Sequence, residues 1–146
     1  MRFAVLHGPN LNRLGKRRPE KYGSHTLDDI TKDVDEVAAR LGVVAEHVQS
    51  NHEGELIDWL HERMDELDGI VINPAGLSSV GKGLKDTVFD AGVPVAVVHI
   101  AQLYRFEGDD FHDIFRFDSS VYVAGLGWRG YGIALDRIHD LVKGAI

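Results

Sequence analysis

The chain of 146 residues contains no cysteine. This absence excludes a disulfide framework, a thiolate metal site and a thiol nucleophile. No apolar run approaches the roughly 18 residues that a transmembrane helix needs, and the apolar run Phe3–Leu6 is too short for a signal peptide. These absences predict a cytoplasmic protein that does not enter a membrane.

Positive charge is also scarce, because 16 Lys and Arg residues stand against 23 Asp and Glu, for a net charge of −7. An acidic surface repels polyanions, so this balance argues against a nucleic-acid partner or an anionic membrane surface. The local basic run Lys16-Arg17-Arg18 suits a small anion better. Apolar residues at 44% and charged residues at 27% are ordinary for a soluble globular protein, and the length predicts a single domain over residues 1–146.

Five short β-rich runs alternate with stretches of helical periodicity. The predicted strands are Phe3–Leu6, Val43–Val48, Gly69–Asn73, Val93–Ile100 and Val121–Ala124. The helical pattern covers residues 27–41 (with Thr26 and Asp29 as cap residues), 56–67, 79–90 and 129–142. Continuous apolar strands joined by helices predict an α/β fold, namely a flavodoxin-like doubly wound sheet of five parallel strands. Ligands of such sheets bind at the carboxyl ends of the strands, so we expect a site among residues 7–25, 49–54, 73–81 and 99–118.

The loop after the first strand carries the first candidate base. Arg17 and Tyr22 lie close together in sequence, and a guanidinium group near a phenol favours the phenolate. Tyr22 is therefore a candidate for proton abstraction. The alternative, with about equal weight, is a Gly/Pro-rich turn with a packed tyrosine and solvated arginines.

Two further polar residues end predicted strands. His99 closes the fourth strand, where an imidazole suits proton transfer, although a lone histidine is more often a hydrogen-bonded structural residue. Asn73 closes the third strand and either orients a ligand hydroxyl or satisfies the turn before Pro74. Ser50 and Glu53 fit a capping box better than a catalytic role.

Several motifs occur together in one order along almost the whole chain. They are Gly8-Pro9-Asn10-Leu11-Asn12, Arg17-x-Pro19, Tyr22-Gly23, the run Gln49 to Trp59, Ile72-Asn73-Pro74, Val98-His99 and Gly125-Leu126-Gly127-x-x-Gly130-Tyr131. This set resembles type II dehydroquinase, the small 3-dehydroquinate dehydratase of the shikimate and quinate pathways. The resemblance implies a hydro-lyase that acts on a small carboxylate substrate. It also implies a trimer-based dodecamer, and no metal or organic cofactor.

The resemblance also implies roles for individual residues. Tyr22 would remove a proton beside the substrate ketone, with Arg17 holding it as phenolate. Asn10 would position a water against the enolate oxygen, and His99 would protonate the departing hydroxyl. The substrate-binding set would comprise Asn73, Ser79, Asp86 (reaching a neighbouring subunit's site), the backbone of Ile100 and Ala101, and Arg105.

This sequence departs from the family pattern at four informative positions. Ser79, Val97, Phe106 and Asp110 stand where the resemblance leads us to expect His, Glu, Arg and Arg. Arg105 or Arg116 would have to replace the missing arginines from a shifted position. Without a glutamate at position 97, we expect His99 to lack its orienting carboxylate, and we expect Ser79→His with Val97→Glu to improve turnover of dehydroquinate.

Three functions remain open at this point. The first is a divergent 3-dehydroquinate dehydratase, and the second is a lyase of the same mechanism on a different polyhydroxylated keto acid. The third is a catalytically silent binding homologue. We rank the silent homologue last, because such a protein has no need to keep a base and an acid in place.

Overall fold

The computed structural model describes all residues from 1 to 146 and contains one sheet of five parallel strands. The strands run in the spatial order β2-β1-β3-β4-β5, which is the flavodoxin order expected from the sequence. Their bounds are β1 Arg2–His7, β2 Val44–Gln49, β3 Gly69–Asn73, β4 Val95–His99 and β5 Val121–Ala124. The fold prediction is therefore confirmed.

The central strands are apolar because helices cover both faces of the sheet. Every residue of β3 and β4 is buried, and so are the residues of β1 after Arg2. The register places His7 of β1 beside Gln49 of β2 and Asn73 of β3. The carboxyl ends of three strands are therefore level, and they form the edge at which a ligand site is expected.

Six helices accompany the sheet. Their bounds are α1 Pro19–Tyr22, α2 Leu27–Leu41, α3 Glu53–His61, α4 Lys82–Asp90, α5 Leu103–Glu107 and α6 Gly130–Val142. Four of them, α2, α3, α4 and α6, correspond to the predicted helices. Helices α2 and α6 pack on one face of the sheet, and α3 and α4 pack on the other. No helix is both long enough and apolar enough to span a bilayer.

Local chemistry explains where the helices begin and end. The capping box of α2 is present, since Asp29 N donates to Thr26 Oγ1 at 3.1 Å and Thr26 N donates to Asp29 Oδ2 at 2.9 Å. Helix α3 ends at His61, before the predicted residue 67, because the chain continues as a separate 3₁₀ turn at Met64–Glu66. Helix α4 begins at Lys82 and not at residue 79, because another 3₁₀ turn, Ala75–Ser78, precedes it.

The predicted capping box of Ser50 and Glu53 is wrong. Ser50 Oγ accepts from His52 N at 2.9 Å and also contacts the Glu55 carboxylate, so it forms a local turn before α3. The carboxylate of Glu53 instead accepts from Leu84 N at 3.0 Å, in the first turn of α4. Glu53 therefore joins two neighbouring helices, a long-range contact that a local sequence pattern does not encode.

Candidate active site

A cavity of about 330 Å³ opens at the carboxyl ends of β3 and β4. This volume lies at the small end of the usual range for small-molecule sites, about 300–1,000 Å³. Three of the four segments expected at this edge line it, through the side chains or backbone of Leu11, Arg17, Arg18, Lys21, Tyr22, Asn73, Ala75, Gly76, Ser78, Ser79, His99, Ile100, Ala101, Leu103, Glu107 and Phe111.

The fourth expected segment, residues 49–54, supports the site from behind and does not line it. Gln49 Nε2 donates to Gly8 O at 3.2 Å, and Asn10 N donates to Asn51 Oδ1 at 2.9 Å. The loop that follows β1 is thereby tied to the end of β2. Gly8 itself packs so tightly on the Pro74 carbonyl that a Cβ would overlap it.

Backbone strain is concentrated around this cavity. Asn10, Arg18 and Ala75 are the three non-glycine residues with positive φ, at 68°, 38° and 50°. Such conformations cost about 1–3 kcal/mol each and persist where the surrounding structure enforces them. Arg18 and Ala75 line the cavity, and Asn10 directly precedes Leu11, which lines it. The strain is therefore located in the two loops that shape the site.

Tyr22 and two cations form one wall of the cavity. The Arg17 guanidinium carbon lies 4.9 Å from the centre of the Tyr22 ring, and Lys21 Nζ lies 5.2 Å from it. The expected proximity of Arg17 to Tyr22 is present, and Lys21 is an addition that the sequence did not reveal.

Lys21 also connects two short helices across the cavity mouth. Its side chain is only 6% exposed, and its ammonium group pairs with the Glu107 carboxylate. Lys21 belongs to α1 and Glu107 to α5, so the ion pair holds the tyrosine-bearing segment against the segment that follows β4. Lys21 Nζ lies 5.7 Å from the centre of the Phe106 ring, which occupies a position where an arginine was expected.

His99 also lines the cavity, and its surroundings correct an expectation from the sequence. We expected His99 to lack a carboxylate because residue 97 is Val. In the structure, His99 Nε2 lies 2.5 Å from Asp113 Oδ2. The expectation was wrong because the carboxylate comes from the loop before β5 and not from β4. Val97 is buried in the core against residues such as Phe115.

Asp113 is almost completely buried, with 1% exposure. Besides His99, two further groups hydrogen-bond to its carboxylate. Tyr122 Oη donates to Oδ2 at 2.8 Å, and Phe115 N donates to Oδ1 at 2.9 Å. Burial alone would raise the pKa of the Asp113 carboxyl, but the hydrogen bonds from His99, Tyr122 and Phe115 hold it below the ordinary value. Burial and the Asp113 carboxylate together raise the pKa of the Tyr122 phenol, so this phenol remains a donor.

Asn73 stands at the floor of the cavity and is buried. Its Nδ2 donates to Tyr131 Oη at 2.8 Å, and its Oδ1 accepts from Ala75 N at 3.0 Å. The interpretation that Asn73 satisfies the turn before Pro74 is therefore confirmed, and the residue also lines the cavity. Burial raises the pKa of the Tyr131 phenol even though the bond from Asn73 acts in the other direction, so Tyr131 stays neutral.

Two backbone amides at the cavity have no partner within the protein. Neither Ile100 N nor Ala101 N donates a hydrogen bond to a protein group, although both residues are buried. A buried N–H without an acceptor is costly, and a ligand oxygen would satisfy it. Ser79 also lines the cavity, where it is exposed.

Three of the residues named from the resemblance lie outside the cavity lining. Asn10 is exposed at the start of the loop, and Arg105 is exposed on α5 with its guanidinium 5.6 Å from the Phe106 ring centre. Asp86 lies on α4, where it pairs with Lys82 at 3.0 Å. Arg116, the other arginine considered as a substitute, donates to the backbone oxygen of Asp113 at 2.7 Å.

The residues missed by sequence reasoning are Lys21, Glu107, Asp113 and Tyr122. Asp113 and Glu107 fall inside the segment 99–118 that was expected at the edge, so the topology signalled their region. Which carboxylate meets which partner depends on tertiary contacts, and no local spacing encodes it. No group of three or more His, Asp or Glu residues is placed so that it could hold a metal ion.

The parallel sheet and its edge cavity, flanked by a tyrosine and a histidine, define a flavodoxin-like α/β protein with a small-molecule site. Residues 1–139 match the family described as Dehydroquinase class II. The chain belongs to this family, as the motif resemblance indicated.

Individual relatives agree with this family assignment. The 3-dehydroquinate dehydratase of Roseiflexus castenholzii is 45% identical over 136 residues, which cover 93% of this chain and 87% of the relative. The catabolic 3-dehydroquinase of Phaeosphaeria nodorum is 38% identical and covers 95% of this chain and 91% of its own. The crystal structure of the type II dehydroquinase from Propionibacterium acnes is similar with a TM-score of 0.86 at 32% identity, covering 97% of this chain and 96% of that one. That of Butyrivibrio crossotus gives 0.90 at 29%, covering 95% and 97%.

Proposed function

We propose that this chain is a 3-dehydroquinate dehydratase, a hydro-lyase that converts 3-dehydroquinate into 3-dehydroshikimate and water. The single observation that carries the proposal is that Tyr22, with Arg17 beside its ring, and His99 line the same cavity. A β-elimination beside a ketone needs a base and an acid facing one substrate. The relatives described above, named 3-dehydroquinate dehydratase and catabolic 3-dehydroquinase, favour dehydroquinate over a different keto acid.

The reaction begins at Tyr22. Its phenolate takes a proton from the carbon beside the substrate ketone, and the electron pair of the broken C–H bond forms an enolate. Arg17, whose guanidinium carbon lies 4.9 Å from the centre of the Tyr22 ring, is the proposed partner that holds Tyr22 as the phenolate. Asn10 positions a water that donates to the enolate oxygen, a stabilisation of the oxyanion-hole kind.

The second step is the loss of water. The enolate electrons form the new carbon–carbon double bond while the C–O bond to the hydroxyl breaks, and His99 gives the hydroxyl its proton. Asn73 orients this hydroxyl from the cavity floor. The unpartnered amides of Ile100 and Ala101 bind the substrate carboxylate, and the two binding sites together fix the direction of the ring.

The remaining polar groups set substrate recognition. Ser79 lies on the cavity lining, and Arg105 and Asp86 lie outside it within one protomer. We propose that Asp86 reaches into the site of a neighbouring subunit, in the trimer-based dodecamer that the family resemblance implies, and that Arg105 serves as a substitute for the missing arginines. Light scattering tests the assembly: we expect a mass many times the 16.2 kDa of one chain, and a monomer would contradict it.

The test of the function is direct. Purified protein is mixed with 3-dehydroquinate, and the absorbance of the conjugated enone of dehydroshikimate is followed. We expect turnover that saturates with substrate. No absorbance change at micromolar enzyme, with a folded protein and an independently active dehydratase as positive control, would refute the proposed function.

A further inference from the structure

The Asp113 carboxylate is buried behind His99, and no cation neutralises it. Its bonds come from the His99 imidazole, the Tyr122 phenol and the Phe115 amide. The nearby Arg116 donates to the Asp113 backbone oxygen and not to the carboxylate. A buried carboxylate without a cation is expensive, so the only group that can balance its charge is the imidazole of His99.

We propose that Asp113 is the positioning residue of the acid His99, and that Tyr122 holds Asp113 in place for this role. The proposal deepens the proposed function, since it assigns the group that prepares the acid of that same reaction. The orienting carboxylate then lies on the loop before β5. The resemblance led us to expect it on β4, at the position that Val97 occupies. The carboxylate acts through His99 and does not belong to the cavity lining.

The geometry determines which nitrogen delivers the proton. His99 lines the cavity, and its Nε2 is the nitrogen that contacts Asp113 at 2.5 Å. A carboxylate accepts, so Nε2 carries a hydrogen and Nδ1 is left for the substrate. In the imidazolium form both nitrogens carry hydrogens, so Nδ1–H gives its proton to the departing hydroxyl while Nε2–H stays on Asp113.

The charge of Asp113 favours the form of His99 that the reaction consumes. A nearby anion in a poorly solvated site stabilises an imidazolium relative to a neutral imidazole. Tyr122 adds a second donor on the same oxygen, Oδ2, and so fixes the carboxylate toward His99. The other titratable cavity groups lie on α1, on the loop just before it and on α5, and they are Arg17, Arg18, Lys21, Tyr22 and Glu107. Phe111 meets the His99 ring edge-on at 6.3 Å between centroids.

The test compares Asp113→Asn and Tyr122→Phe with the unmodified protein. For each we would measure kcat and KM for dehydroquinate from pH 5 to 10, together with the NMR titration of the His99 imidazole. Asp109→Asn is the matched control, because it removes the same charge from an exposed position in the same loop.

We expect Asp113→Asn to lower kcat about tenfold to a hundredfold with KM nearly unchanged, since a hydrogen bond to a charged group is lost. The alkaline limb of the kcat profile and the His99 titration should both move to lower pH. Tyr122→Phe should give a smaller change in the same directions, and Asp109→Asn should behave as the unmodified protein.

Unchanged profiles and an unchanged His99 titration in Asp113→Asn would overturn the proposal, even if that variant were less thermally stable. If Asp113→Asn does not fold, Tyr122→Phe decides by the same two readouts. If the unmodified protein does not turn over dehydroquinate, the proposed function fails separately. The His99 titration then still decides whether Asp113 governs the imidazole.

Discussion

At the scale of single residues, the site shows a charge at a place that the family pattern did not indicate. Because residue 97 is Val, the sequence predicted that the acid His99 would lack an orienting carboxylate. Asp113, which lies 14 residues after His99 in the chain, supplies one. Val97 fills the core instead and is 0% exposed. The carboxylate that is missing from the motif at position 97 is therefore replaced by one that only the folded chain brings beside His99.

This compensation reverses the expectation for Val97→Glu. Adding a carboxylate to a packed apolar site overfills the core and buries a charge with no cation beside it. We expect Val97→Glu to lower the free energy of unfolding by about 2 kcal/mol or more, with no gain in turnover. Urea denaturation and the dehydroquinate assay measure the two effects.

Val80→Glu is the matched control for this substitution, because Val80 is 72% exposed and has solvent to receive the charge. We expect its stability to change by no more than about 0.5 kcal/mol. A Val97→Glu protein that is as stable as the control and turns over dehydroquinate faster would show that the carboxylate of Asp113 does not serve His99.

At the scale of elements, the ion pair of Lys21 and Glu107 joins α1 to α5 across the cavity. We expect Lys21→Met and Glu107→Gln each to lower kcat/KM by about tenfold, because each frees the segment that carries Tyr22 and leaves the other charge unpaired. The double variant should lose less than the sum of the two, and a double-mutant cycle on kcat/KM measures this coupling.

Lys32→Met provides the comparison for this cycle. Lys32 is 71% exposed and pairs with Asp28 on the surface of α2, where an ion pair contributes little. Its kcat/KM should equal that of the unmodified protein. Strictly additive losses at Lys21 and Glu107 would mean that the pair does not act as a connection between the helices.

The elements also show what a sequence can and cannot predict. β3 and β5 match their expected bounds because apolar runs are bounded there by residues that break strands, and α2 matches because its capping box lies within four residues. The short helices α1 and α5, by contrast, carry no sustained periodicity. The contacts that complete the site, Asp113 with His99 and Lys21 with Glu107, join residues 14 and 86 positions apart. Only the folded chain brings them together.

At the scale of the whole molecule, one buried histidine couples folding to pH. Burial, together with the adjacent His47, lowers the pKa of His7 to about 3. His7 Nε2 lies 3.2 Å from His47 Nδ1, and His47 in turn contacts Asp35 at 2.9 Å. Between about pH 6.5 and 3, the unfolded chain binds a proton at His7 that the folded chain does not bind.

Stability must therefore fall as the pH drops below about 6.5, by about 1.4 kcal/mol per pH unit for this one proton. We expect the stability of His7→Gln to decrease less as the pH falls, because the contribution of His7 is absent. Urea midpoints at pH 7, 6 and 5 measure this pH dependence. His61→Gln, at an exposed position, should keep it. Equal slopes in the two variants would show that His7 does not titrate differently in the folded and unfolded chains.

Tyr22 is the proposed base of the elimination in this cavity. The most direct test of this role is Tyr22→Phe, which removes the hydroxyl and keeps the ring against Arg17. Tyr104→Phe, at a tyrosine that is 68% exposed, is the control. We expect Tyr22→Phe to lower kcat for dehydroquinate about a hundredfold or more. Its dissociation constant for dehydroquinate should stay within a few-fold of that of the unmodified protein. Near-full turnover by Tyr22→Phe would contradict the account.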